Sequence, residues 1–153
     1  MYDFLRYRVR DAMTRKPVTV DGSTSLRTLE RIFSERDFNG VPVVDADDRL
    51  LGVATKIDIL RAFTFSQDAI VPPYESIMER TVGEVMTREP VTVDPELPLT
   101  RVLQRMVELG NKSFPVVDGD RVVGMIARED LLAALRRATG GPAPARADSP
   151  DRR

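Results

Sequence analysis

Two hydrophobic periods alternate along this chain. Short β-branched runs with strand character are Pro17-Val18-Thr19-Val20, Val41-Pro42-Val43-Val44 and Leu50-Leu51-Gly52-Val53-Ala54. Between the first two, Leu26, Leu29, Ile32 and Phe33 fall at helical spacing, and after the third a helix is predicted over about residues 56–63. The unit is β-α-β-β-α, and the chain uses it twice. Pro90-Val91-Thr92-Val93 opens the second copy, and Leu99, Val102, Leu103, Met106 and Val107 form its first helical stripe, with Pro98 suited to the first turn. A closing helix is predicted over about residues 128–138.

Residues 9–45 realign on residues 82–118 at a constant offset of 73, so Met13-Thr14-Arg15 recurs as Met86-Thr87-Arg88 and Pro42-Val43-Val44-Asp45 as Pro115-Val116-Val117-Asp118. Beyond that the offset is 72: Gly52 matches Gly124 and Asp58 matches Asp130. The lost residue falls in a turn, where a deletion is tolerated. The second copy has the tighter hairpin turn, Asp118-Gly119-Asp120. This divides the chain into repeat 1 over residues 1–65, a connector over 66–80, repeat 2 over 81–138, and a Gly/Pro/Ala-rich tail over 139–153 that reads as disordered.

Composition narrows the function. A chain of 153 residues holds two such units only if they share their burial, because one alone leaves too much surface. With no histidine and no cysteine, imidazole chemistry, thiolate chemistry and Cys- or His-based metal sites are unavailable, and the reading is of a non-enzyme without a cofactor. The net charge of -1 gives no footprint for nucleic acid or an anionic membrane. No apolar run is long enough to span a bilayer and no leader pattern opens the chain, so a cytoplasmic location is expected.

Three motifs recur in order in both copies: Val-x-x-x-Met-Thr-x-x-Pro-Val-Thr-Val, Pro-Val-Val-Asp and Gly-x-x-x-x-x-Asp. In this the chain resembles the CBS domain family, regulatory modules found beside enzymes, channels and transporters and also free-standing. The resemblance implies an α/β (α+β) fold of two repeats packed with pseudo-twofold symmetry. It also implies clefts for adenosine-containing ligands such as AMP, ADP, ATP or S-adenosylmethionine, a homodimer, and no catalytic residues. Carried over residue by residue, it places ligand contacts at Lys16, Pro17, Val18, Asn39, Gly40, Val41, Pro42, Thr55, Lys56 and Asp58. In the second copy the contacts are Glu89, Pro90, Val91, Lys112, Ser113, Phe114, Pro115, Arg128 and Asp130.

Each site has a plainer account. Thr55 and Asp58 stand where a strand hands over to a helix, so the hydroxyl and the helix N–H groups suit a phosphate and the carboxylate suits a ribose diol. The same pair also makes a helix cap, worth roughly 1 kcal/mol in any protein. The second copy has Ala127 in place of Thr55, and Arg128 is either a compensating phosphate ligand or solvated surface. The apolar contacts are equally core strands, Asn39-Gly40 is a turn pair, and Lys112 is a helix C-terminal cation. Asp45-Ala46-Asp47-Asp48 lacks the glycine and glutamate of a calcium loop and reads as a polar turn. A regulatory module acting in trans on an effector protein is therefore expected. The alternatives are a structural dimerisation module and, less well supported for want of a phosphate-binding loop, a nucleotide enzyme.

Overall fold

The computed structural model describes residues 2–64 and 73–140; the rest of the expected connector and the tail beyond Gly140 lie outside the described residues. The first repeat contributes α1 (Val9–Ala12), β1 (Thr14–Arg15), α2 (Leu26–Glu35), β2 (Gly40–Val44), β3 (Leu50–Thr55) and α3 (Lys56–Ala62), preceded by a 3-10 turn at Tyr2–Arg6. The second contributes α4 (Tyr74–Met78), α5 (Val82–Val85), β4 (Thr87–Arg88), α6 (Leu99–Leu109), β5 (Ser113–Asp118), β6 (Arg121–Ala127) and α7 (Arg128–Ala138).

The helical stripes behave as their spacing dictates. Leu26, Leu29 and Phe33 are buried on α2, and Ser25 caps it by accepting the Thr28 N–H at 3.1 Å. Leu99, Val102 and Met106 are buried on α6, which ends on Gly110 in the left-handed conformation at φ 71°. Val107 is exposed, so the apolar stripe of α6 is narrower than its sequence suggests, and Pro98 sits at the N-cap, one residue before the first turn.

Pro17–Val20 and its counterpart are not the strands their composition predicts. The strand residues are Thr14 and Arg15, and Thr87 and Arg88; Val20 and Val93 make only isolated parallel bridges, to Val43 and Val116. Lys16 and Glu89 cause the break, because both take left-handed backbone angles, φ 49° and 50°. The proline that follows each of them has no N–H to continue a ladder.

That break lets the repeats exchange segments. The two sheets have strand orders β2-β3-β4 and β1-β6-β5, so each two-residue strand completes the sheet of the other repeat. Phe4, Val9 and Ala12 are buried in the second core with Leu99, Phe114 and Ile126, whereas Met78 and Val82 join Leu26, Val41 and Ala54 in the first. The backbone bonds are reciprocal: Val9 N–H to Leu97 O at 2.9 Å mirrors Val82 N–H to Thr24 O at 2.7 Å. Leu26 N–H to Arg80 O mirrors Leu99 N–H to Tyr7 O. Arg80, at the end of the expected connector, thus holds the place that Tyr7 holds before the first repeat. The pseudo-twofold axis passes by the Arg49–Arg121 bridge, flanked by Leu50 N–H to Asp120 O at 3.0 Å and Val122 N–H to Asp48 O at 2.9 Å.

Candidate functional site

A cavity of about 540 Å³ opens where the two repeats meet, a size suited to a small organic ligand. The end of β3 and start of α3 give it Val53, Thr55, Lys56 and Ile57; the exit of β4 gives Thr87, Glu89, Pro90 and Val91. Phe38 and Asn39 before β2, and Gly110, Asn111, Lys112, Ser113 and Pro115 around the start of β5, complete the lining. Both repeats are required, because β3 and β4 pair across the repeat boundary with Val53 opposite Thr87.

Of the residues expected to contact ligand, Asn39, Thr55, Lys56, Glu89, Pro90, Val91, Lys112, Ser113 and Pro115 line this cavity. Strand alternation explains one omission: Ser113 and Pro115 face it, while Phe114 between them is fully buried in the second core. Val41 likewise belongs to the first core, and Gly40 and Pro42 are buried in β2 without reaching the lining. Lys16, Pro17, Val18 and Arg128 are the repeat-equivalents of Glu89, Pro90, Val91 and Lys56, and lie outside this cavity. Phe38, Val53, Ile57, Thr87, Gly110 and Asn111 were not singled out by the sequence. Of these, Thr87 is brought against Val53 by the cross-repeat strand pairing, which no local motif encodes.

Asp58 is 0% exposed and lies behind Thr55. Its Oδ2 accepts the Thr55 N–H and the Thr55 hydroxyl, each at 2.9 Å, and its Oδ1 accepts from Arg61 Nη1 at 2.9 Å. The carboxylate thus holds the start of α3 and is charge-compensated by Arg61. A Thr55 hydroxyl that donates to Asp58 offers a ligand its lone pairs, and donating outward requires it to rotate off the carboxylate. Asp130 holds the same position in α7, where its Oδ2 accepts the Ala127 N–H at 2.8 Å.

Among the described residues the charged groups on the cavity wall are Lys56, Lys112 and Glu89. Neither lysine is in an ion pair among the described residues. In the other acidic segment, Asp45 Oδ1 accepts the N–H groups of Asp47 and Arg49 at 2.8 and 3.0 Å, so the loop is a polar turn. Those backbone bonds, led by Arg49, hold the Asp45 carboxyl below the usual carboxylate range. No cluster of acidic side chains suited to a metal occurs among the described residues, and no helix there is long and apolar enough to cross a membrane.

Comparison with known proteins agrees with this architecture. The CBS domain family profile matches residues 9–64 and 82–137. CBSX2, solved in complex with AMP, superimposes with a TM-score of 0.76 at 26% identity, covering 87% of this chain and 98% of that one. The CBS domain pair of MJ0100, solved with 5′-methylthioadenosine and S-adenosyl-L-methionine, gives a TM-score of 0.67 at 27% identity over 88% of this chain and 96% of that one. L-aspartate semialdehyde sulfurtransferase of Methanocaldococcus jannaschii is 28% identical over 124 residues, 80% of this chain but 22% of the enzyme's length. The profile covers both repeats, and the exchanged strands and reciprocal backbone bonds relate the two halves by pseudo-twofold symmetry. The chain belongs to the CBS domain family and carries a tandem pair of its repeats.

Proposed function

We propose that the protein is a regulatory module that binds an adenosine-containing ligand between its CBS repeats and passes the occupancy to an effector protein, with no catalysis of its own. The cavity carries this reading, because its wall is drawn from both repeats and a ligand seated there links them. The complexes of CBSX2 with AMP and of MJ0100 with S-adenosyl-L-methionine support the ligand class. The match to part of a much longer enzyme supports the regulatory role. A ligand that prefers one relative placement of the sheets shifts the protein toward it by its difference in affinity. AMP at about 100 times its Kd should stabilise the fold by about 2.7 kcal/mol, read as a rise in melting temperature. No shift with AMP, ADP, ATP or S-adenosylmethionine at millimolar concentration would overturn the ligand, and product formed from ATP or AMP would overturn the absence of catalysis.

The two halves should not bind equally. Ala127 lacks the hydroxyl of Thr55, and a lost contact to a charged phosphate costs roughly 1.5–3 kcal/mol unless Arg128 replaces it. Asp58→Ala should abolish most binding and, by removing a buried helix-holding carboxylate, lower stability by about 1–2 kcal/mol without ligand. Asp130→Ala should bind nearly as the parent does. Calorimetry on both folded variants decides this, and the reverse order of effects would assign binding to the Asp130 side.

Homodimerisation is part of the same proposal. Ile57, Leu60 and Leu132 on α3 and α7 are 52%, 59% and 55% exposed, more apolar surface than helices facing water need to show. Leu131 is only 3% exposed and belongs to the second core, and Phe63 and Leu135 are partly buried against the first and second cores, so these three add nothing to that surface. Light scattering at micromolar concentration should give twice the monomer mass; a monomer that nevertheless binds AMP would leave the sensor reading without its dimer.

A further inference from the structure

We infer that the charge of this cavity selects nucleoside phosphates and rejects adenosine ligands that lack a phosphate, S-adenosylmethionine in particular. The inference rests on the adenosine-binding reading above and goes further, by naming the ligand class and the residues that choose it. Lys56 comes from the start of α3 in the first repeat and Lys112 from the turn before β5 in the second, and both line the cavity. Among the described residues Glu89 is the one carboxylate on the lining, so two ammonium groups stand against one negative charge there. Asp58 does not alter that balance, because it is buried and already ion-paired to Arg61 at 2.9 Å. Neither lysine is ion-paired among the described residues, so their charge is available to a ligand.

The rest of the wall suits the other end of such a ligand. Phe38, Val53, Ile57, Pro90, Val91 and Pro115 give a flat ring apolar surface to lie on. A phosphate monoester carries about -1.5 to -2 at neutral pH and accepts several charge-assisted hydrogen bonds. S-adenosylmethionine presents the same purine, but its sulfonium and ammonium groups outweigh its carboxylate and meet the lysines with like charge. Methylthioadenosine is neutral and gains nothing from them. The preferred ligand is therefore a nucleotide whose phosphate lies between the ammonium groups of the two repeats.

The test is calorimetric titration of the full chain with AMP, adenosine, methylthioadenosine and S-adenosylmethionine, at low and high salt. The parent protein should bind AMP at least about tenfold more tightly than adenosine and S-adenosylmethionine least, with salt weakening only AMP. Lys56→Gln and Lys112→Gln should each weaken AMP by about three- to fivefold, the pair together by about tenfold, and weaken adenosine by much less, so that the preference for AMP is lost. Glu89→Gln should have the opposite sign, tightening AMP by a few-fold and weakening S-adenosylmethionine. The lysines are exposed, so their loss should not unfold the protein. Adenosine binding with no preference for AMP, or an AMP preference that survives the double substitution, overturns the charge selection while leaving the adenosine site standing. Tighter binding of S-adenosylmethionine than of AMP overturns it likewise, and failure of all four ligands overturns both readings together.

Discussion

Residues 1–65 expressed alone are expected to show no cooperative thermal unfolding, although they contain a complete copy of the repeat. The exchange of segments is the reason. The fragment lacks β4, so β3 loses a hydrogen-bonded neighbour, and it lacks Met78 and Val82, both buried in the first core. It retains Phe4, Val9 and Ala12, whose burial depends on the second repeat. Burying a side chain of the size of valine, methionine or phenylalanine contributes about 1.5–3 kcal/mol, and four such residues are stranded or missing. A domain's whole stability is only about 5–15 kcal/mol. The backbone adds to the loss, since Val9 N–H, Arg10 N–H and Leu26 N–H all bond to carbonyls on the far side of the cut. Circular dichroism melting of the fragment against the full chain checks this, and a cooperative transition in the fragment would refute the interdependence of the halves.

The repeat itself was legible because three motifs and most of the core apolar positions recur at an offset of 73 and then, past one turn, of 72. The partnership was not. An offset says which residues are equivalent, and a chain whose β1 paired within its own repeat would show the same offset as one whose β1 crosses over. At the crossing points stand Lys16 and Glu89, and residues before proline ordinarily take extended angles rather than the left-handed ones found here. That conformation costs of order 1–3 kcal/mol, which the packing of both cores sustains. The cavity was therefore readable as two half-lists of residues but not as one wall. Thr87 joins the wall of Val53 and Thr55 only because the repeats cross. Asp58 shows the converse: the sequence left helix-holding and ribose contact both open, and the structure shows the first, with the second resting on a rearrangement that binding must supply.

Gly124→Val and Gly52→Val should each destabilise the protein by at least about 2–3 kcal/mol, because these glycines are where the crossing strands pass. Gly52 pairs with Arg88 and Gly124 with Arg15, so each central strand meets the other repeat's short strand at a residue without a side chain. A Cβ at Gly52 would lie 2.5 Å from the Thr87 carbonyl oxygen and 2.9 Å from Met86 Sδ. At Gly124 it would lie 2.8 Å from both the Thr14 carbonyl oxygen and Met13 Sδ. The methionine can swing away, but the carbonyl belongs to a strand of two residues and moves only by giving up its pairing. Alanine should already cost about 1–3 kcal/mol, and valine more, since its γ-carbons enter the same space. For a chain of this length 2 kcal/mol lowers the melting temperature by roughly 4–8 °C. Gly22→Ala is the control: its added Cβ would meet nothing nearer than 3.9 Å, so its stability should stay within about 0.5 kcal/mol of the parent. Losing the crossed strand also opens the cavity wall at Thr87 and Glu89, so Gly52→Val should lower AMP affinity more than Gly124→Val does. Thermal melts of the four proteins with and without AMP read both effects. A Gly52→Val protein as stable as Gly22→Ala would mean that the short strand does not cross.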